Sequence, residues 1–336
     1  MERIKGLREY VTLPAYREAL GLPPEQAEHY EFLAKGEYNI NYSFIHPVTG
    51  KRLLLRVNCG SQMHLENQIQ YEYEALKLLE GSGRTPKVYY VDGSLSKLSH
   101  GVLVMEYLPG NALDYREDFL RAAECLADIH SIPVEFPTFL IKPENSLSAI
   151  LEECEAMVKT YMESSLGEEE VKKQIRSMLD KAWKIVRETK MEEEFRCCIN
   201  TELNSSNFLI DRKKKKSYLI DWEKPLYGTP AQDLGHFLAP TTTFWKTDVI
   251  LEPEDMEQFV DYYIKCVAGR FSTENLKEKV HIYTKITCLR GITWCAMAWV
   301  EYQKSDRLIR NEDTFQKLGQ YIDKAFLHII DRKWLS

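Results

Sequence analysis

The sequence predicts an α+β fold in two lobes. The first is an antiparallel-sheet lobe over residues 1–107, and the second is a larger, mainly helical lobe over residues 108–336. Three observations support this prediction. Strand-like runs dominate the first hundred residues, helix-like patterns dominate further on, and the change falls at Leu108-Pro109-Gly110-Asn111. A chain of 336 residues also exceeds the usual domain size of roughly 100–200 residues.

Three apolar runs rich in β-branched and aromatic residues predict strands at 30–34, 41–46 and 52–58. A glycine-containing loop joins the first two and the turn Pro47–Gly50 joins the last two, so neighbouring strands should run antiparallel. A helix follows, because apolar residues recur at near-helical spacing at Leu65, Ile69, Leu76 and Leu79. Two further strands are predicted in TPKVYYVDGS and HGVLVMEYL.

The second lobe should begin with a helix over Phe119–His130 and continue with polar surface helices over 146–195. One hairpin interrupts the helices, with strands at Phe208–Ile210 and Tyr218–Ile220. Its RKKKK tip is typical of a solvated turn rather than a phosphate or nucleic-acid patch. The apolar run LRGITWCAMAWVEYQ predicts a buried core helix.

The composition narrows the classes of function. With 44 basic and 51 acidic residues the net charge is −7, so we expect no nucleic-acid partner. No apolar run is long enough to span a bilayer, and we expect no membrane association. The eight cysteines form no C-x-x-C pair, which argues against a zinc or redox site and suits a reducing compartment. We therefore expect a cytoplasmic protein, a monomer or a homodimer.

A carboxylate and an amide lie five residues apart at Glu202 and Asn207, and a second carboxylate, Asp221, follows the next strand. Phosphoryl transfer needs a carboxylate to orient the attacking hydroxyl and oxygen ligands to hold Mg²⁺ on the phosphates. The three residues supply those groups, although a polar loop beside an exposed hairpin would contain them too.

Two upstream features fit the same chemistry. Gly36-Glu37-Tyr38-Asn39 lies between two predicted strands, where backbone N–H groups could cover phosphates or simply close a hairpin. Arg56 interrupts the apolar run LLLRVN. A buried charge needs a partner, and Glu72 on the following helix is the natural candidate, unless Arg56 faces solvent.

These motifs occur in one order along the chain: KGEYNINYSF, LLLRVN, YEYEAL, TPKVYY, VLVMEYLPG, LADIHSIP, INTELNSSNFLI, LIDWEKP and GTPAQDLGHFL. In that order the sequence resembles the aminoglycoside phosphotransferase and choline kinase superfamily, relatives of the protein kinases, from about Phe32 to Phe237. The resemblance implies a two-lobed protein-kinase-like fold. It also implies a small-molecule kinase that uses ATP, or GTP as an alternative donor, with Mg²⁺.

The resemblance assigns the nucleotide-binding residues of the first lobe. The loop from Gly36 to Asn39 would cover the phosphates, and Arg56 with Glu72 would orient them. Glu106 and Tyr107 fall where the hinge between the lobes contacts adenine through backbone groups.

In the second lobe the resemblance makes Glu202 the catalytic base and Asn207 and Asp221 the Mg²⁺ ligands, with Asp233 in a structural role. The family's loop reads H-G-D-x-x-x-x-N, whereas this chain has Asn200 and Glu202 in place of the histidine and the aspartate. Glutamate keeps the carboxylate but moves it one methylene outward. This departure keeps open a nucleotide-binding pseudokinase with a regulatory role.

A protein kinase and a nucleotidyl transferase also stay open as interpretations of the same motifs. The absence of D-F-G and A-P-E triplets disfavours the protein kinase. The acceptor implied by the resemblance is a small hydroxylated molecule: an aminoglycoside, an amino alcohol or a sugar-like compound. Candidate acceptor-binding residues in the second lobe are Glu223, Trp245, Trp294 and Glu301, each of which could instead belong to the core or the surface.

Overall fold

A five-stranded antiparallel sheet forms the N-terminal region, in the order β1-β2-β3-β5-β4. The computed structural model describes residues 3–61, 63–190, 195–303 and 312–335. The strands of this sheet are β1 (Glu31–Lys35), β2 (Asn39–Ile45), β3 (Arg52–Asn58), β4 (Val88–Asp92) and β5 (Gly101–Glu106).

Both faces of this sheet are covered. Successive residues of a strand point to opposite faces, and Leu53, Leu55 and Val57 of β3 pack into a cluster with the helices α1 (Leu7–Tyr10) and α2 (Pro14–Leu20). The opposite face carries Arg56 and lies against α3 (Gln68–Leu79). Arg56 is therefore a charge on an enclosed face, where it is only 8% exposed.

The remainder of the chain is mainly helical. A three-stranded sheet has the order β6-β8-β9, and a separate pair joins β7 to β10. These strands are β6 (Asn111–Ala112), β7 (Cys197–Ile199), β8 (Phe208–Asp211), β9 (Lys216–Leu219) and β10 (Leu226–Gly228). The helices are α4 (Phe119–His130), α5 (Ser146–Glu163), α6 (Glu169–Glu188), α7 (Pro230–Leu238), α8 (Pro240–Lys246), α9 (Pro253–Val267), α10 (Leu276–Gln303), α11 (Glu312–Tyr321) and α12 (Lys324–Ile330).

The long helix α10 is the centre of the helical region. It packs against α5, α7, α8 and α11, and its apolar residues from Leu276 to Val300 belong to the main core. A helix covered on several sides has no single apolar stripe. This explains why LRGITWCAMAWVEYQ is apolar almost throughout.

The predicted α+β class, with a sheet first and helices after it, is confirmed. Two details were wrong. Helix α3 begins at Gln68 rather than near Leu65, because the side chain of Asn67 caps it by accepting the N–H of Gln70 at 3.2 Å. The described part of the N-terminal region also has three α-helices instead of one, since α1 and α2 precede the sheet. The lobe boundary at residue 107 stays a prediction.

Two further features bear on the setting of the protein. Among the described residues, no helix combines the length and apolarity needed to cross a membrane. All eight cysteines are free thiols.

Candidate active site

Asp233, on α7, holds the loop that follows β7. Its fully buried carboxylate accepts the N–H of Asn200 at 2.8 Å and the N–H of Thr201 at 2.7 Å. His130 Nε2 lies 3.2 Å from the same carboxylate. An ionised carboxylate only accepts, so Nε2 carries the proton. Thr201 has a φ of 71°, a conformation that residues with a side chain seldom adopt. Asp233 thus stabilises an unfavourable turn.

Asn200 joins this loop to the end of the hairpin. Its Nδ2 donates to the carbonyl oxygen of Asp221 at 2.9 Å, and its Oδ1 accepts the N–H of Glu202 at 3.1 Å. The Asn200 side chain therefore fixes the backbone at both candidate carboxylates.

Asn207 and Asp221 end neighbouring segments. The Nδ2 of Asn207 donates to the carbonyl oxygen of Glu202 at 2.9 Å, and the carbonyl of Asn207 accepts the N–H of Ile220 at 2.9 Å. Because a carbonyl only accepts, the amide nitrogen is fixed on that side, and Oδ1 of Asn207 faces the other way. The Asp221 side chain is 38% exposed and can reach a ligand. The φ of 66° at Asp221 is a second strained backbone position.

Arg56 and Glu72 form a buried ion pair, in which Arg56 Nη1 donates to Glu72 Oε1. The same nitrogen lies 3.5 Å from Asp221 Oδ1 and 3.8 Å from Glu223 Oε1. Asn41 accepts the Nε–H of Arg56 at 3.2 Å. Arg56 therefore connects the sheet and α3 with the end of the hairpin.

The charges around Arg56 do not balance. Three carboxylates, those of Glu72, Asp221 and Glu223, surround one guanidinium. Burial and the nearby Asp221 carboxylate raise the pKa of Glu223 to about 8. A raised pKa of this kind marks crowded carboxyl groups, and a divalent cation at this place would favour their ionised form. Asn207 and Asp221 are therefore the residues that fit Mg²⁺, which usually takes one or two protein oxygens and completes its shell with phosphate and water.

The loop between β1 and β2 reaches across to the hairpin. The N–H of Gly36 donates to the carbonyl of Asn39 at 2.8 Å and closes a tight turn. Asn39 Nδ2 donates to Glu223 Oε1, and Asn58 Nδ2 donates to Asn39 Oδ1 at 3.0 Å. Asn39 is thus held beside the carboxylates rather than pointing into solvent.

The segment predicted to contact adenine lies at the end of β5. The N–H of Glu106 donates to the carbonyl of Lys87 at 2.7 Å, and the N–H of Tyr107 donates to the carbonyl of Arg52 at 3.3 Å. An adenine contact at these two residues would therefore use their carbonyl oxygens. Their role in nucleotide binding stays a prediction.

A cavity of about 490 Å³ opens beside Glu202. Trp245 and Trp294 both line it, and their rings meet edge to face with centroids 5.2 Å apart. In the described part of the chain, Glu223 and Glu301 do not line this cavity. Tyr38, from the loop between β1 and β2, does line it, so the N-terminal sheet contributes to its wall.

Two charged residues of this cavity were not predicted from the sequence, Arg290 on α10 and Glu153 on α5. Arg290 Nη2 donates to Glu202 Oε1 at 3.0 Å, and Arg290 Nε donates to Glu153 Oε2 at 3.0 Å. Although burial opposes its ionisation, Arg290 and Lys224 lower the pKa of Glu153 to about 2. Burial, aided by Arg290, lowers the pKa of His236 to about 3. The sequence did contain a signal for Arg290. Like Arg56, it is a lone charge in an apolar run, which indicates a buried charge that needs a partner.

Solved structures of kinases share this fold. An ethanolamine kinase from Plasmodium vivax aligns with a TM-score of 0.65 and 15% identity, over 97% of this chain and 89% of that one. A spectinomycin phosphotransferase, solved with ADP and spectinomycin, aligns with a TM-score of 0.66 and 12% identity, over 99% of each chain. A choline kinase from Cryptosporidium parvum aligns with a TM-score of 0.65 and 14% identity, over 98% of each.

No curated protein sequence matches the chain significantly. The sequence profile described as the phosphotransferase enzyme family matches residues 29–270, which is most of the chain. The prediction of a kinase-like enzyme is confirmed at the level of family and fold. The chain belongs to the phosphotransferase enzyme family.

Proposed function

We propose that this enzyme transfers the γ-phosphoryl group of ATP, in the presence of Mg²⁺, to a hydroxyl group of a small molecule. One observation supports this most strongly: Glu202, Asn207 and Asp221 belong to a single hydrogen-bonded unit. Asn200 bridges the backbones of Asp221 and Glu202, and Asn207 donates to the carbonyl oxygen of Glu202. Positioning and electrostatics are nearly all that such a reaction asks of a protein.

Each residue of the site has a separate role in this proposal. The Glu202 carboxylate, at the cavity wall, accepts a hydrogen bond from the acceptor hydroxyl and takes its proton as the oxygen attacks. Asn207 and Asp221 hold the metal, and Arg56, held by Glu72, faces the phosphates. Mg²⁺ and ATP, when bound, supply the reactive phosphorus and neutralise the charge on its oxygens.

The cavity beside Glu202 is the proposed acceptor site. Its two tryptophans offer flat apolar faces, and Thr242 and Thr287 add polar side chains to the wall. Such walls suit a compact hydroxylated molecule of the kind named for the structural neighbours, which include a spectinomycin phosphotransferase and an ethanolamine kinase. We propose the cytoplasm as its location, since ATP is available there and thiols stay reduced.

Nucleotide binding is the first test. A ligand that binds only the folded state raises its stability, by about 2.7 kcal/mol at a hundred times its Kd. We expect Mg²⁺ with ATP to raise the melting temperature of the wild type, and Asp221→Asn to lose the part of the shift that depends on Mg²⁺. Parallel titrations with GTP establish the donor.

The second test is a screen for ADP release against hydroxylated metabolites and antibiotics, with each product checked by mass for one added phosphoryl group. If millimolar ATP and GTP both leave the melting temperature unchanged, the proposed function is wrong. ATP binding with no acceptor in the screen and no slow transfer to water would instead support the pseudokinase.

A further inference from the structure

Glu202 is held by a residue from outside its own loop. Arg290, on α10, donates from Nη2 to Glu202 Oε1 at 3.0 Å and from Nη1 to the carbonyl oxygen of Thr201 at 3.3 Å. One guanidinium therefore contacts both the carboxylate and the backbone immediately before it. A glutamate side chain has one more rotatable bond than an aspartate, and these contacts restrict it.

Arg290 is itself fixed in place. Glu153, on α5, accepts from Nε at 3.0 Å and from Nη2 at 3.3 Å, a two-point contact. Lys224 Nζ donates to the same Glu153 at 2.9 Å. The Arg290 side chain is 15% exposed, so solvent screens these contacts only weakly. Two-point pairs between arginine and carboxylates set geometry as well as energy.

We propose that Arg290, anchored by Glu153, positions the Glu202 carboxylate at the cavity wall and so compensates for its extra methylene. This inference rests on the proposed function, in which Glu202 meets the acceptor hydroxyl. Arg290 is a positioning residue, because it acts through Glu202. A misplacement of about 1 Å can cost on the order of a hundredfold in rate. The gain in rate from correct positioning can therefore outweigh the cost of burying an arginine.

The shape of the guanidinium is central to this role. A lysine at position 290 would keep the positive charge. It cannot present a planar fork to Glu202, Glu153 and the Thr201 carbonyl together. Charge and geometry can therefore be separated by substitution.

The test is a double-mutant comparison of ADP release with a confirmed acceptor, or with water as the slow acceptor. We expect Arg290→Gln to lower kcat about 10- to 100-fold with the KM for ATP unchanged. In a Glu202→Gln background, the same change should alter kcat less than about twofold, because the group to be positioned is gone. Arg290→Lys should retain stability but not restore kcat.

Arg84 provides the matched control. It is also 15% exposed, and its Nε donates to Asp128 at 2.8 Å, away from the cavity. Arg84→Gln should lower stability comparably and leave kcat within about twofold of wild type. The proposal is overturned if the Arg290→Gln loss is the same in both backgrounds, or if Arg290→Lys has wild-type kcat.

A crystal structure of Arg290→Gln tests the same point without turnover. We expect the Glu202 carboxylate to leave the position that the Nη2 group of Arg290 holds in the wild type. A carboxylate that stays in place would overturn the proposal, even in a protein that binds nucleotide normally. Failure of the proposed function is distinct, since it shows as a wild type that neither binds nor consumes nucleotide.

Discussion

Asp233→Asn tests how the loop that follows β7 is held. The Asp233 carboxylate is fully buried and accepts two backbone N–H groups, those of Asn200 at 2.8 Å and Thr201 at 2.7 Å. Asparagine retains one acceptor oxygen and presents an NH₂ group where the second oxygen was. Asn200 N–H and His130 Nε2 share Oδ2, whereas Thr201 N–H is bound to Oδ1, so either Thr201 alone or Asn200 together with His130 loses its acceptor and stays buried.

The magnitude follows from those contacts. A hydrogen bond to a charged group contributes about 1.5–3 kcal/mol, and a buried polar group left unpaired costs about 1–3 kcal/mol. We therefore expect Asp233→Asn to lower the free energy of unfolding of the helical region by about 3–5 kcal/mol. Relaxation of the strained turn at Thr201 should also lower kcat, because Glu202 follows directly.

Urea unfolding followed by tryptophan fluorescence is the assay, since Trp222 is fully buried one residue after Asp221. Asp180→Asn is the control. That carboxylate is 68% exposed and pairs with Arg176 at 3.1 Å on a helix surface, so we expect a change of about 0.5 kcal/mol or less. A loss in Asp233→Asn no larger than in the control would refute the assignment of Asp233 as the support of this loop.

Three further predictions concern the site and its charges. Glu202→Gln should keep ATP binding and lower kcat about 10²–10⁴-fold. Glu202→Asp should also lose activity, because the shorter side chain cannot reach Arg290. A gain of activity in Glu202→Asp would indicate a decayed enzyme. Asp221→Asn should lose nearly all turnover without unfolding, because asparagine tolerates the φ of 66° at this position. Asn207→Ala should lose less turnover. Unchanged turnover in Asp221→Asn would place the metal elsewhere. The pKa of Glu153 is lowered from 4.5 to about 2. The ionised Glu153 therefore adds on the order of 3 kcal/mol to the free energy of unfolding above pH 4.5, and this stabilisation is lost as the pH falls towards 2. The pKa of His236 is lowered from 6.5 to about 3, so stability also falls as the pH drops from 6.5 to 3. Acid unfolding curves of Glu153→Gln and His236→Asn should each be flatter in their own range, and curves parallel to wild type would contradict both assignments.

The regular elements could be predicted because their patterns are local. Strand β3 spans Arg52–Asn58 and helix α4 spans Phe119–His130, the ranges that the apolar spacing predicted. Helices α1 and α2 have four and seven residues, too short for a helical period to show. Strands β7 and β10 have three residues each, and they pair with each other although a loop, a hairpin and a turn separate them in the chain. A pairing of such short and distant strands has no local pattern.

The candidate site was predictable only in part. Its loop residues stood out because polar side chains at a fixed spacing are visible in a sequence. Glu153 and Arg290 are 137 positions apart, and only the packing of α5 against α10 brings them together beside Glu202. The cavity likewise draws its walls from the loop before β2, from α5, from α8 and from α10. Contacts between segments so far apart in the chain cannot be predicted from the pattern of residues within any one segment.

A ³¹P NMR time course with ATP and Mg²⁺ tests the central claim most directly. The reaction contains a confirmed acceptor, or water as the slow acceptor, and Glu202→Gln serves as the matched inactive control. We predict that the γ-phosphate signal of ATP declines while ADP and a new phosphate monoester, or inorganic phosphate with water, grow in equal amounts. Glu202→Gln should be slower by at least about a hundredfold. Release of pyrophosphate with an adenylylated product would show nucleotidyl transfer, and an ATP spectrum that does not change would show a pseudokinase. Either result would contradict phosphoryl transfer by this site.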